Sequence, residues 1–139
     1  MSDSARSGIQ PPWGQIKLCE RISGTLARGH FPQSLLIHGP EGVGKQSMAL
    51  WIAASLQCDT EGGPCSTCRS CRLAIRLEHP DIHLHFPMPR PKRASSSAKL
   101  REAIETQRQE RLATLRQDPE AGLDEGEATG IYVAAIHTI

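Results

Sequence analysis

One glycine-rich segment constrains the fold of this 139-residue chain more than any other. It has the G-x-x-x-x-G-K spacing of a phosphate-binding loop and reads Gly39, Pro40, Glu41, Gly42, Val43, Gly44, Lys45. The five residues before it, 34–38, form an apolar run without alternation, which predicts a strand covered on both faces. The residues after it, 46–56, predict a helix. The order strand, loop, helix predicts an α/β fold with a parallel sheet.

This loop has the chemistry to hold a phosphate. Glycines let successive backbone N–H groups point at one anion, the following helix N-terminus adds partial positive charge, and Lys45 adds a cation. The residue after the lysine is Gln46, where a Ser or Thr would hold Mg²⁺ beside the phosphates. Ser47 is one position late, and one helical step turns a side chain by about 100°. The hypothesis for residues 39–46 is therefore that a phosphate, as in ATP with Mg²⁺, can bind there while hydrolysis is impaired. The alternative is a glycine turn with a purely structural role.

A second constellation consists of four closely spaced cysteines: Cys58, Cys65, Cys68 and Cys71. Two overlapping C-x2-C steps bring thiolates to one ion, and four thiolates favour a structural zinc ion. Iron–sulfur ligation and unpaired structural cysteines are the alternatives. The fifth cysteine, Cys19, lies on the apolar face of a predicted helix and is expected in the core. His83 and His85 share one face of a predicted strand and could form a metal-binding pair, but solvent exposure is the stronger expectation.

Composition excludes some classes of function. A net charge of +1 gives no argument for binding to nucleic acid or to a membrane surface. No apolar stretch is long enough for a membrane span, and residues 1–13 lack the apolar core of a signal peptide. We therefore expect a cytoplasmic protein whose cysteines are reduced or bound to metal.

The periodicity of apolar residues predicts the remaining elements. Helices are expected over 13–28, 46–56, 73–77 and 99–116, the last with a thin apolar stripe. Residues 81–86 alternate between apolar and polar and predict a half-buried strand, which the prolines at 87, 89 and 91 should end.

The phosphate loop, the cysteine insert and a following His-Pro-Asp stand in an unusual order. Together they resemble the N-terminal AAA+ domain of bacterial DNA polymerase III clamp-loader subunits. The matching stretches are residues 13–15, 34–45, 64–71 and 79–81, within a resemblance that covers about residues 13–86. The resemblance implies a three-layer AAA+ domain around a parallel sheet, with a small zinc module inserted after the helix of the phosphate loop.

On this reading the chain divides into six segments. They are a flexible leader (1–12), the first part of the AAA+ domain (13–57), the zinc module (58–71), a helix and strand of the AAA+ domain (72–91), a charged insertion (92–130) and the start of a further AAA+ segment (131–139). The chain lacks an acidic Walker B run, and it also lacks the sensor, lid and collar of the family. We therefore expect a truncated, incomplete domain that neither assembles nor hydrolyses ATP by itself.

Two branches of the family fit the loop differently. The gamma/tau type is the ATPase motor and keeps a Ser or Thr after the lysine, whereas the delta-prime type often has a degraded loop and acts as a more rigid partner. Gln46 favours the delta-prime type. The implied partners are the other clamp-loader subunits in a hetero-oligomeric ring and, through them, the sliding clamp and primed DNA. The further alternative is a stand-alone zinc-bearing interaction domain with a vestigial loop.

Overall fold

The computed structural model of the chain describes residues 8–89, 96–117 and 130–131. They fall into two compact units that divide after Ile82. The first unit contains helices α1 (Ile16–Ala27), α2 (Lys45–Gln57) and α3 (Arg69–Ile75), and the second contains α4 (Ser97–Gln117). The sequence predicts a helix at each of these four places, but α3 begins four residues before the predicted 73–77 and includes the end of the predicted zinc module. No helix among the described residues is long and apolar enough to cross a membrane.

The core of the first unit forms between α1 and α2. Its buried members are Cys19 of α1 and Met48, Trp51 and Ile52 of α2. Partly buried side chains from the segments around the helices pack against them: Ile9, Ile22, Phe31 and Ile37. Cys19 is thus a core cysteine, as predicted, and burial raises the pKa of its thiol.

The predicted parallel sheet is not confirmed. No strand occurs in the described part of the chain, and residues 34–38 run through the first unit without a sheet partner. Leu35 and Leu36 are 51% and 85% exposed, although the sequence predicts a strand buried on both faces. A strand is defined by hydrogen bonds to a neighbouring strand, so an apolar run alone does not form one. The described residues offer this run no such neighbour.

Residues 83–89 of the second unit differ from the prediction in a similar way. They form no strand, but side-chain burial alternates: Phe86 and Met88 are buried, whereas Pro87 and Pro89 are exposed. The alternation thus continues past Pro87, where the sequence predicts an end. Met88 forms a single antiparallel bridge with Gly130, and its N–H donates to the Gly130 carbonyl at 3.1 Å.

Helix α4 follows the sequence pattern closely. Its buried residues are Ile104, Leu112 and Leu115, which belong to the predicted thin stripe. On the surface, Arg108 donates two hydrogen bonds to the Glu105 carboxylate, at 2.8 and 2.9 Å. The side chain of Ser96 accepts the N–H of Lys99 just before the helix.

Residues 1–7, 118–129 and 132–139 lie outside the described part of the chain. Residues 8–12, which the sequence assigns to a flexible leader, pack onto the first unit. Ile9 contacts the core and Pro12 is buried. The segment boundaries predicted for 92–130 and 131–139 remain predictions.

Candidate functional site

The glycine loop reaches α2 through two residues in the left-handed region. Gly42 has φ 74° and Gly44 has φ 87°, and Gly44 is the residue immediately before the helix. A side chain at Gly44 would also come within 3.2 Å of the Pro12 side chain. Gly44 is therefore required twice, for its backbone angle and for the close approach of Pro12. Its carbonyl accepts the N–H of Met48 at 2.9 Å, which starts the helical ladder.

Lys45 turns back over the loop. Its Nζ donates to the carbonyl oxygens of Gly39 at 3.0 Å and Pro40 at 2.8 Å. The ammonium group therefore lies beside the residues that the sequence assigns to phosphate binding. The first turn of α2 contains no acidic residue, so nothing in that turn opposes an anion.

A cavity of about 150 Å³ adjoins the loop. Loop residues and Met48 form most of its lining, and α1 with the residue before it contributes Gln15 and Leu18. Their position beside the loop was not predicted, because it is a tertiary contact. Gln15 lies in the Trp13-Gly14-Gln15 stretch that carried part of the family resemblance.

The remaining predicted loop residues are placed as follows. Pro40, Glu41 and Gly42 are exposed, and Val43 and Gln46 are partly buried. Ser47 is exposed, one helical step beyond Gln46. Helix α2 begins at Lys45, so the side chains of Gln46 and Ser47 point in different directions, as the sequence predicts.

The four cysteines after α2 converge. The Sγ atoms of Cys58, Cys65, Cys68 and Cys71 all lie within 4.8 Å of one another, and those of Cys65 and Cys71 are 4.0 Å apart. A tetrahedral zinc ion with Zn–S bonds of about 2.3 Å places its sulfurs about 3.8 Å apart. The donor set and its spacing therefore fit a tetrathiolate metal site. This is the one group of potential metal ligands in the described ranges.

Backbone hydrogen bonds orient the sulfurs. Each of the first three accepts a bond from the N–H of the next cysteine: Cys65 to Cys58 at 3.4 Å, Cys68 to Cys65 at 3.3 Å, and Cys71 to Cys68 at 3.3 Å. The last of these bonds also caps the N-terminus of α3. N–H groups that point at thiolate sulfurs stabilise their negative charge, so the turns are preorganised for metal ligation.

The same contacts separate the proton affinities of the sulfurs. Burial acts to raise the pKa of Cys58, but hydrogen bonds from Thr60 and from the Cys65 backbone outweigh it and lower that pKa. Hydrogen bonds from Thr67, above all from its hydroxyl, and the backbone N–H of the third cysteine lower the pKa of Cys65 to about 5. Burial raises the pKa of Cys71 to about 12. Without metal, the low pKa of Cys65 favours its thiolate at neutral pH, whereas the high pKa of Cys71 favours its protonated thiol.

The cysteine module is attached to the core of the first unit at several points. Cys71 and Ala74 of α3 are buried. A side chain at Gly63 would meet the Trp51 ring at 3.3 Å, so the turn between the first two cysteines lies directly against that ring. Ser66, between Cys65 and Cys68, has φ 62°, which is unusual for a residue other than glycine.

The histidines do not join this cluster. His79 is buried, and its Nδ1 accepts the N–H of Asp81 at 3.1 Å, so the His-Pro-Asp stretch forms a local turn. His83 is exposed, as expected. His85 is instead partly buried, and its Nε2 is buried with no hydrogen-bond partner among the described residues.

The loop and the cysteine module together define a class of protein, in which a G-x-x-x-x-G-K loop and its helix are followed directly by a tetracysteine insert. The family model described as "DNA polymerase III, delta subunit" matches residues 14–117, more than half of the chain, and the chain therefore belongs to that family. The match extends through α4, beyond residue 86, where the resemblance seen in the sequence ends. The family is one of AAA+ domains, so this part of the fold prediction is confirmed.

Two of the curated relatives that the chain matches are named as DNA polymerase III subunits. The chain is 33% identical over 75 residues to DNA polymerase III subunit delta' of Bacillus subtilis, which covers 52% of the chain and 22% of the relative. It is 35% identical over 78 residues to the protein of the same name in Pseudomonas aeruginosa, covering 55% and 23%. It is also 37% identical over 60 residues to Protein STICHEL-like 3 of Arabidopsis thaliana, covering 42% and 6%.

The predicted resemblance to delta-prime clamp-loader subunits is thus confirmed, and the chain spans less than a quarter of the length of these relatives. No solved structure gives a significant match.

Proposed function

We propose that the chain is part of a delta-prime-type subunit of the DNA polymerase III clamp loader, which helps to load the sliding clamp onto primed DNA in the cytoplasm. The observation that carries this proposal is the match to a delta-subunit family across both the glycine loop and the cysteine module. The partners are then the other clamp-loader subunits, in a hetero-oligomeric ring. The clamp and the DNA are reached through that ring.

A structural zinc ion at the four cysteines is part of the proposal. Their sulfurs lie within 4.8 Å of one another, and three of them accept N–H groups from the module itself. A fully protein-ligated zinc ion supplies no open coordination position, so its role is to cross-link the module. Cys58 is the first residue after α2 and Cys71 belongs to α3, so the cross-link joins the two helices.

For the glycine loop we propose phosphate binding with impaired hydrolysis. The two left-handed glycines, Lys45 and the start of α2 support the first part. Gln46 supports the second, because its longer side chain does not place an oxygen where the short Ser or Thr hydroxyl usually holds Mg²⁺. The subunit would then act in the ring as a scaffold rather than as a motor.

Reconstitution tests this function. The full-length protein that contains this chain, mixed with the remaining clamp-loader subunits, should restore clamp loading onto primed DNA. A Lys45→Ala variant should keep most of this activity if the subunit is a scaffold. Lys17→Ala, which removes a lysine from α1, is the matched control.

The other outcomes discriminate between the alternatives. If Lys45→Ala lost both clamp loading and Mg²⁺-dependent ATP turnover while Lys17→Ala kept them, the subunit would be a gamma/tau-type motor. If the wild-type protein failed to restore loading although it carried zinc and was folded, the clamp-loader proposal would be wrong and a separate zinc-bearing interaction domain would be favoured.

A further inference from the structure

Residues 8–15 connect the two parts of the candidate site. At one end of this segment, the N–H of Ile9 donates to Ser66 Oγ at 3.1 Å, within the turn between Cys65 and Cys68. In its middle, Pro12 is buried and lies against Gly44, the residue before α2. A β-carbon at Gly44 would be 3.2 Å from the β-carbon of Pro12. At its other end, Gln15 lines the cavity beside the glycine loop. We call this segment the strap.

The strap is held in a defined conformation along its length. Ile9 packs against the core formed by α1 and α2. The N–H of Gln15 donates to the Pro12 carbonyl at 3.0 Å and closes a tight turn in which Gly14 has φ 75°. The carbonyl of Gln15 then accepts the N–H of Cys19 and starts α1. Only Gln10 and Pro11 lie between Ile9 and Pro12, so the path from the Ser66 contact to Pro12 is short.

Ser66 is well suited to anchor the strap only while the cysteine turn is ordered. Its φ of 62° costs free energy, and it is flanked by Cys65 and Cys68, whose sulfur atoms belong to the cluster. Such a conformation persists where the surroundings enforce it. A bound metal ion would enforce it by fixing both flanking sulfurs.

We propose that the strap is a positioning element that couples metal binding at the four cysteines to the geometry of the glycine loop. The inference rests on the proposed metal site and on the loop as the phosphate site, but not on nucleotide hydrolysis. Metal binding orders the Ser66 turn, Ser66 holds Ile9, and Pro12 then supports Gly44 at the start of α2. By thermodynamic reciprocity, an anion bound in the loop would strengthen metal binding by the same factor.

Three substitutions at Ser66 separate its hydrogen bond from its backbone conformation. Ser66→Ala removes the acceptor and keeps a strained φ. Ser66→Gly removes the acceptor and relieves the strain, because glycine adopts positive φ readily. Ser66→Asn keeps a side-chain oxygen, and asparagine tolerates left-handed φ better than most residues. Ser70→Ala makes the alanine change elsewhere in the same module and is the control.

Hydrogen exchange of the loop amides at residues 42–46, in the zinc-loaded chain without nucleotide, is the first measurement. Ser66→Ala and Ser66→Gly should each accelerate exchange about threefold, the effect of losing one net hydrogen bond, whereas Ser66→Asn and Ser70→Ala should not. Unchanged loop exchange in both the Ala and the Gly variant, at one zinc per chain, would overturn the proposal. Acceleration in Ser66→Ala with full recovery in Ser66→Gly would also overturn it, because backbone strain would then be the cause.

A variant in the middle of the strap covers the case in which Ser66 variants lose zinc. Pro12→Ala lies outside the cysteine module and should keep one zinc per chain while exchange at Gly44 and Lys45 accelerates. Unchanged exchange there would overturn the strap as a support of the loop.

Binding of the fluorescent nucleotide mant-ADP is the second measurement. Zinc-loaded chain should bind it more tightly than zinc-stripped chain, and Ser66→Ala should abolish this difference. A zinc dependence that persists unchanged in Ser66→Ala would contradict the strap. If no form of the chain binds mant-ADP, nucleotide binding by the loop is refuted as a function, and the exchange measurements still decide whether the strap couples the two regions.

Discussion

The two compact units differ in how their helices begin. In the first unit, α2 starts at a left-handed glycine and α3 starts at a cysteine whose sulfur caps the helix. Both starts belong to the turns for which we propose a ligand. Within the described residues of the second unit, α4 has no such turn and depends on a stripe of buried aliphatic residues. We therefore expect the order of α3 to depend on a ligand at the cysteines, whereas the order of α4 depends on packing.

Loss of one cysteine ligand is the strongest test of this difference. Cys71→Ala should abolish stoichiometric zinc binding and disorder α3, because structural zinc contributes about 10 kcal/mol or more to the folding of small metal modules. Hydrogen exchange should increase across residues 58–77 and stay unchanged in α4. Cys19→Ala, at the cysteine outside the cluster, is the matched control and should keep its zinc. Equal loss of protection in α4 would contradict the comparison.

The converse change targets the packing of α4. Ile104 is 1% exposed, and Ile104→Ala should destabilise its unit by about 3 kcal/mol through lost burial and a cavity. Urea unfolding followed by exchange in α4 measures this effect. Zinc content should stay at one per chain. The neighbouring Ala103→Gly variant indicates how much a loss of helix propensity alone would cost, about 1 kcal/mol.

The glycine loop offers a test of intermediate size. Gly44→Ala should destabilise the first unit by about 2 kcal/mol, because alanine is strained at φ 87° and its β-carbon would approach Pro12. Gly29 also has positive φ, 67°, but a β-carbon there meets nothing within 4 Å. Gly29→Ala should therefore cost less than Gly44→Ala in thermal unfolding. Equal effects would show that the approach of Pro12 contributes nothing.

The smallest expected effect comes from the surface ion pair of α4. The hydrogen bonds from Arg108 hold the pKa of Glu105 below its ordinary value, against a smaller opposing effect of burial. The stabilisation that ionised Glu105 gives to its unit is therefore complete above the ordinary glutamate pKa of about 4.3. It is lost as the pH falls through the lowered pKa of Glu105. Because Glu105 is partly solvated, Glu105→Gln should cost only about 0.3 kcal/mol at pH 7.

Urea titrations at pH 7 and pH 3 check this prediction, with Glu102→Gln as the control on the same helix. The difference between Glu105→Gln and the wild-type chain should shrink at pH 3. A cost that stays the same at both pH values would show that the ion pair is not its source.

Features that depend on local spacing were predictable from the sequence. The cysteine turns need only short steps between ligands, so the spacing alone was enough to group Cys58, Cys65, Cys68 and Cys71. The same holds for α4, whose buried residues repeat at helical spacing. Local pattern is sufficient in both cases because the contacts are close in sequence.

Features that depend on distant partners were not predictable. Residues 34–38 have the composition of a buried strand, but strand formation needs neighbours that the sequence of the run does not specify. The bond from Ile9 to Ser66 joins residues 57 positions apart, and nothing in residues 8–12 distinguishes a packed strap from a loose leader. The partial burial of His85 escaped prediction for a similar reason, because strict alternation placed it in solvent.

The two bonds from the Lys45 ammonium to the Gly39 and Pro40 carbonyls have a consequence for anion capture. The ammonium has three N–H donors, of which these bonds use two, so a phosphate that recruits more than one of them takes a donor over from a carbonyl, and binding is then partly an exchange of partners. The net gain then comes from the charge of the phosphate, because the carbonyl that it replaces is neutral. Multiply charged anions should therefore be preferred over monovalent ones of similar size, and this preference should weaken as salt is added.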